Sequence, residues 1–269
     1  MIRNIFVPEV YNGYYIFTTR IIGIHITDHA LYATCVTASG TERTIIQHFY
    51  EPLEHEGTTF SEKAEAALHN LSSRLPAYDK LHIALPSKEV ICKELTLPFT
   101  DRHKIEMVAP FELEETLPFD VQDGIIATVP THYENEQATV FAVALRRETF
   151  EKYITPCENV GLKPDVVTLD AVAFYTTYTP VKELGLQSGV TACIDIDIND
   201  TRIIVIEDGK LRLIRTLHKG LHSVCPATET TYNGIKDIIS RCDAQEYAFA
   251  QTQLSSEIQF TIAAANKML

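Results

Sequence analysis

Ile22-Gly23-Ile24-His25-Ile26-Thr27-Asp28 is the stretch that sets the reading of this chain. Its apolar residues recur at every second position, the period of a strand with one buried face. Ile21 joins it, and Asp28-His29 supplies a turn. Leu31–Val36 then returns as a second strand, Ser39-Gly40-Thr41 turns again, and Thr44–Tyr50 reads as a third. Far downstream the same order recurs. Cys193-Ile194-Asp195-Ile196-Asp197-Ile198 opens a strand, and strands follow over Arg202–Glu207 and Leu211–Leu217, the last two joined by the hairpin dipeptide Asp208-Gly209. Two meanders that begin alike are the mark of a weak internal duplication.

Working outward, the first meander leads to a helix over Ser61–Leu75, with Thr59 and Glu62 at capping-box spacing and Ala64, Leu68, Leu71 and Leu75 on one face. Pro76 ends it, and Leu81–Leu85 is a buried strand. Between the meanders lies a different module. Val90–Leu97 is a strand, a helix capped by Thr100 or Asp101 runs to Glu115 with a kink at Pro110, and strands follow at Ile125–Val129 and Ala138–Leu145. Glu148–Val160 is a helix stopped by Gly161, Asp165–Leu169 a strand and Ala171–Tyr178 a short helix. The second meander is followed by helices over Asp237–Cys242 and Gln245–Met268. The class is α/β, in three blocks: residues 20–86, 87–180 and 190–269.

Composition narrows the function. The 269 residues carry 36 acidic against 23 basic side chains, a net charge of −13. Such a chain is a poor partner for nucleic acid. No run reaches the roughly 18 apolar residues of a membrane-spanning helix. The aromatic start, Ile5-Phe6-Val7 and Tyr14-Tyr15-Ile16-Phe17, reads as sheet packing ahead of a membrane contact, because only Arg3 and Arg20 are basic there. With no membrane-spanning run, and with no basic start, continuous apolar centre or small-residue cleavage site over Met1–Thr27, a cytoplasmic location is expected. Cys35, Cys92, Cys157, Cys193, Cys225 and Cys242 form no CxxC pair and are expected reduced and buried. No metal-ligand spacing, nucleophile motif or Gly-rich GKS/T loop is present, and no catalytic residue is assigned. Asp195, Asp197, Asn199 and Asp200 imitate a calcium loop, but Asp200 and Ile206 stand where its Gly and Glu are needed.

Four stretches together resemble a known family. They are Ile22–Thr27; Leu95-Thr96-Leu97-Pro98-Phe99-Thr100-Asp101 through Ala109-Pro110-Phe111-Glu112-Leu113-Glu114-Glu115 to Leu117-Pro118-Phe119-Asp120; Gly161–Val167 with Asp170–Ala173; and Ile194–Asp197 with Asp208–Arg212 and Arg215. In combination they are similar to the pilus-assembly PilM and type II secretion GspL family, within the actin-like ATPase superfamily. The resemblance implies a two-lobed actin-like (ribonuclease H-like) fold with an inserted small α+β domain, and a second lobe that is incomplete at Leu269.

The resemblance also implies a nucleotide site whose positions here are Gly23, His25, Thr27, Asp195, Asp197 and Thr201, and which is degenerate. The family's first hairpin reads Gly-Ile-Asp-Ile-Gly. His25 replaces the carboxylate that would orient a magnesium-bound water, and Thr27 replaces the glycine that lets backbone N–H groups approach phosphate. Asp197 replaces the second hairpin's glycine and repels an anion. No Gly-Gly segment follows Gly220 to hold an adenosine. The expectation is a non-catalytic cytoplasmic scaffold with no cofactor, peripheral to the inner membrane of a type IV pilus or type II secretion machine. It would dock the cytoplasmic peptide of a PilN-like partner and contact the assembly ATPase. Val90, Cys92, Glu94, Leu97, Glu112 and Glu115 are the expected partner-binding residues. The rival is an ATP- and magnesium-binding PilM-like protein with slow or switch-like hydrolysis.

Overall fold

The structure is a computed structural model and describes residues 10–11, 14–53, 59–134, 136–179, 181, 185–186, 188–224 and 244–265. The helix expected over Asp237–Cys242, the segment Ile5–Val7, Cys225 and Cys242 lie outside the described residues. The chain divides into two compact units, residues 1–86 with 151–170 and residues 87–150 with 171–269.

In the first unit, β2 (Tyr14–Ile26), β3 (Ala30–Gly40) and β4 (Glu42–Pro52) form the antiparallel meander, and β1 (Val10–Tyr11) pairs with the start of β2. β2 begins seven residues before Ile21, since Tyr15 already pairs with Gly40. Aromatic residues at Tyr14–Phe17 suit a pleated strand, which is why it continues there. Ile22, Ile24 and Ile26 are fully buried, as their alternation requires. α1 (Phe60–Ser72) carries the capping box between Thr59 and Glu62 and buries Ala64, Ala67, Leu68 and Leu71. It returns the chain to β5 (Lys80–Leu85), parallel to β2.

β9 (Val166–Leu169) corrects the block boundaries, because it joins this sheet and not the middle module. The order is β4-β3-β2-β5-β9. Asp165 decides the matter: its carboxylate accepts the Leu81 N–H at 2.8 Å, and its own N–H donates to the Leu81 carbonyl at 2.8 Å. α3 (Arg147–Asn159) delivers the chain to that point. Gly161 has φ of +81°. Its N–H bonds Glu158 O and the Leu162 N–H bonds Cys157 O, a Schellman stop that glycine permits without strain. Burial pushes the Cys157 thiol up to about 12, and Cys35 and Cys157 are both free thiols in the core.

In the second unit, β6 (Ile91–Leu97), β7 (Gly124–Glu134) and β8 (Gln137–Arg146) make a sheet of order β6-β8-β7. α2 (Arg102–Glu114) covers one face. Its Ile105, Ala109 and Leu113 pack on Leu95, Leu97, Ala138, Val140, Ala142 and Ala144. The N-cap is Asp101, whose carboxylate accepts the Lys104 N–H, and the helix runs through Pro110. The strand period sends β8's Phe141 and Val143 to the opposite face. There they meet Ala171 of α4 (Asp170–Tyr178) and the second meander: β10 (Val190–Ile196), β11 (Thr201–Glu207) and β12 (Lys210–Leu217). β11 lies between the other two strands, and Thr201–Ile206 are all buried. Asp208 and Gly209 both have positive φ, 48° and 76°, the backbone of a two-residue I′ turn. α5 (Leu221–Val224) and α6 (Ala244–Ala265) follow, and Ile258 of α6 packs on Ile203, Val205 and Leu217.

Candidate functional site

The first hairpin tip is closed by its own side chain. Thr27 is 5% exposed. Its hydroxyl accepts the Ala30 N–H at 3.1 Å and the His29 N–H at 3.4 Å, and donates to the Ala30 carbonyl at 2.9 Å. The Thr27 N–H bonds the same carbonyl at 3.0 Å. The N–H groups of Thr27, His29 and Ala30 are therefore engaged within the turn. A glycine at 27 would have no side chain to do this.

His25 and His29 have different polar neighbours. His25 Nε2 lies 3.5 Å from Oδ2 of Asp170, a carboxylate 7% exposed at the start of α4. The ring nitrogens of His29 lie 3.3 Å from the Thr27 hydroxyl and 3.1 Å from the Tyr32 hydroxyl. Each imidazole thus has its own polar neighbours. Gly23 is open: a Cβ placed there would meet nothing within 4 Å.

The second hairpin is held by cations from its own unit. Arg202, opposite Asp195 in the β10–β11 register, places its guanidinium 2.7 Å from the Asp195 carboxylate and 3.5 Å from that of Asp197. Lys88 Nζ stands 3.5 Å from the Asp200 carboxylate. The acidic triplet that imitates a calcium loop is thus neutralised by side chains. Neither Arg202 nor Lys88 carries a sequence signal for this role beyond Arg202's position in the strand that follows the acidic turn. The Asp197 carboxylate also accepts the Ile198 N–H at 2.8 Å. The Thr201 hydroxyl donates to the Lys219 carbonyl at 2.7 Å, so Thr201 is an internal tie. Gly220 closes the tip from the other side. The Leu221 and His222 N–H groups donate to the carbonyls of Asp197 and Ile198 at 2.9 and 2.8 Å.

The expected partner-binding residues divide. Leu97 is 3% exposed in the core beneath α2, which corrects its placement at a docking face: β6 alternates, and Leu95 and Leu97 point to the helix. Cys92 packs against the core on the opposite face. Val90 precedes β6, and its N–H donates weakly to the Ser87 carbonyl. Glu94 lies 3.4 Å from Arg212, which also pairs with Glu207 at 2.9 Å. Glu112 and Glu115 are exposed at the C-terminal end of α2.

Comparison with known proteins places this architecture. A chain of the PilM-PilN type IV pilus biogenesis complex aligns with a TM-score of 0.75 over 93% of this chain and 78% of its own, at 20% identity. This is an actin-like fold. The family model of type II secretion system protein L matches residues 53–181 of the actin-like chain, a little under half of it. Looser likenesses are the cytoplasmic domain of EpsL, an inner membrane component of the type II secretion system of Vibrio cholerae, and the ethanolamine utilization protein EutJ of Carboxydothermus hydrogenoformans. The first has a TM-score of 0.47 at 15% identity over 74% of this chain and 71% of that one. The second has 0.41 at 11% over 97% and 75%. No curated protein matches the sequence. Among the described residues, no helix is long and apolar enough to cross a membrane.

Proposed function

We propose that this actin-like chain is a non-catalytic scaffold of a type IV pilus or type II secretion machine. It works on the cytoplasmic face of the inner membrane by docking a peptide of a PilN-like membrane partner. The observation that carries the assembly role is the protein L match over residues 53–181. The likeness to a chain of a PilM-PilN complex agrees with it. Contact with the assembly ATPase belongs to the same proposal.

The docking route is β6. It pairs with β8 and stands at the end of the order β6-β8-β7. An extended peptide laid along it adds a strand through main-chain hydrogen bonds. Glu94 and Thr96 alternate with the buried Leu95 and Leu97, so the outward side chains beside such a peptide are polar. The two hairpins support the non-catalytic part of this reading. At the first, the Thr27 hydroxyl engages the His29 and Ala30 N–H groups. In the second, Arg202 and the Ile198 N–H already hold the Asp197 side chain, which occupies the position where the family's glycine would leave room for a phosphate.

Two titrations test the two halves of this reading. A peptide of the partner's cytoplasmic segment is expected to bind, and no binding at tens of micromolar sinks the docking role. Mg-ATP is expected to give no heat. Micromolar binding of Mg-ATP replaces the scaffold with an ATP-switched protein, the reading favoured by the open space at Gly23.

A further inference from the structure

Beyond its Asp101 cap, α2 carries charges that oppose its own dipole. A helix favours anions at its N-terminus and cations at its C-terminus. α2 has no acidic residue in its first turn and no basic residue in its last. Instead Arg102, His103 and Lys104 open it, while Glu112, Glu114 and Glu115 close it, all exposed. Arg102 pairs along the helix with Glu106 at 2.8 Å. Proline at position 110 removes one further backbone hydrogen bond. Between the charged ends, the outward face carries Met107 at 58% and Phe111 at 72% exposure. Local rules broken together in one element mark a surface shaped by something other than folding.

The outward face has an internal symmetry. Ile105, Ala109 and Leu113 point to the sheet. At 100° per residue, the side chains on the opposite side are Lys104, Met107, Phe111 and Glu114, with His103 and Glu115 at its two margins. These pair off about the level of residue 109: Met107 with Phe111, Lys104 with Glu114, His103 with Glu115. A two-fold axis at that level therefore brings each residue of one helix to the height of its complement on an antiparallel copy.

We propose that α2 is a homodimer contact between two copies of this chain, related by a two-fold axis beside position 109. Met107 of each copy packs on Phe111 of the other, a favourable sulfur–aromatic contact. Lys104 of each faces Glu114 of the other. The arrangement is isologous, so every contact occurs twice. It also accounts for the inverted charges. In an antiparallel pair, the acidic end of one helix lies beside the positive N-terminus of the other, so what opposes the helix's own dipole suits its neighbour's. Self-complementarity of this kind singles out a second copy over an unrelated basic partner, which would leave Lys104 facing like charge. One helix about 20 Å long is a small contact. The dimer is weak and dependent on concentration and salt.

Sedimentation of the full chain at low salt, from micromolar to near-millimolar concentration, tests this. The wild type is expected to pass from monomer to dimer over that range. Lys104→Glu and Glu114→Lys each place like charges together twice and are expected to weaken association about tenfold or more. The double variant K104E/E114K restores both contacts with the signs exchanged and is expected to return to within about threefold of wild type. Circular dichroism checks that each variant folds, which the exposure of both sites favours. A chain that stays monomeric throughout overturns the proposal, as does a dimer indifferent to either reversal or one that the double variant fails to restore.

Discussion

The hydroxyl of Thr27 and the backbone of Ala30 hold each other at both ends: the hydroxyl accepts the Ala30 N–H at 3.1 Å and donates to the Ala30 carbonyl at 2.9 Å. One buried side chain thus stands in for a turn's second pair of hydrogen bonds. Thr27→Val keeps the shape and leaves the Ala30 N–H without that partner. A loss of about 1–3 kcal/mol in denaturant unfolding is expected. Thr27→Ser keeps the hydroxyl and is expected to lose less than about 1 kcal/mol. Equal losses in the two variants would show that the hydroxyl plays no part.

Arg202 gives the second hairpin its charge balance. Its side chain is 7% exposed, while Asp195 is 40% and Asp197 21% exposed. Arg202→Met leaves two neighbouring carboxylates without their shared cation. With the solvent exposure of the acids discounted, the expected cost is about 2–3 kcal/mol in stability. Arg202→Lys keeps the charge but not the fork, and should fall between the two. A melting temperature unmoved by Arg202→Met contradicts this account.

The two glycines of the hairpins are not equivalent. A Cβ on Gly220 would collide with the carbonyl of Asp197 and stand 2.6 Å from both Asp200 N and Ile198 O. All three are backbone atoms with no side-chain freedom to yield. Gly220→Ala is therefore expected to cost about 2 kcal/mol or more, whereas Gly23→Ala, with nothing within 4 Å, should change stability by less than about 1 kcal/mol. Thermal unfolding of the pair decides. Similar melting temperatures would mean that the tip of the second hairpin can open.

His82 on β5 makes the first unit sensitive to acid. Burial holds its imidazole below the ordinary value of 6.5, and Lys80 adds to this while Asp165 opposes it. The folded chain thus resists a proton that the unfolded chain accepts. Below pH 6.5 the unfolded state binds more protons, so stability from this group falls as pH drops through that value and is whole above it. Replacing His82 with Gln should flatten the slope of unfolding free energy between neutral and mildly acid pH. An unchanged slope in the His82→Gln variant refutes the assignment.

Much of the chain is governed by signals a few residues long, and these are legible without a structure. The alternation at Ile22, Ile24 and Ile26, the capping box of Thr59 and Glu62, the stop at Gly161 and the turn at Asp208-Gly209 all stand where the residues themselves require. Each depends on backbone sterics or on a bond between near neighbours, so sequence determined them. What required the tertiary structure joins residues far apart. Asp165 carries β9 into the first sheet by binding Leu81, Lys88 reaches Asp200, Asp170 faces His25, and Leu97 turns inward because α2 settles over it. Contacts of that range depend on which surfaces are brought together once the strands and helices have formed. No local pattern encodes them, because a carboxylate looks the same in sequence whether its partner is solvent or a cation that the fold brings to it.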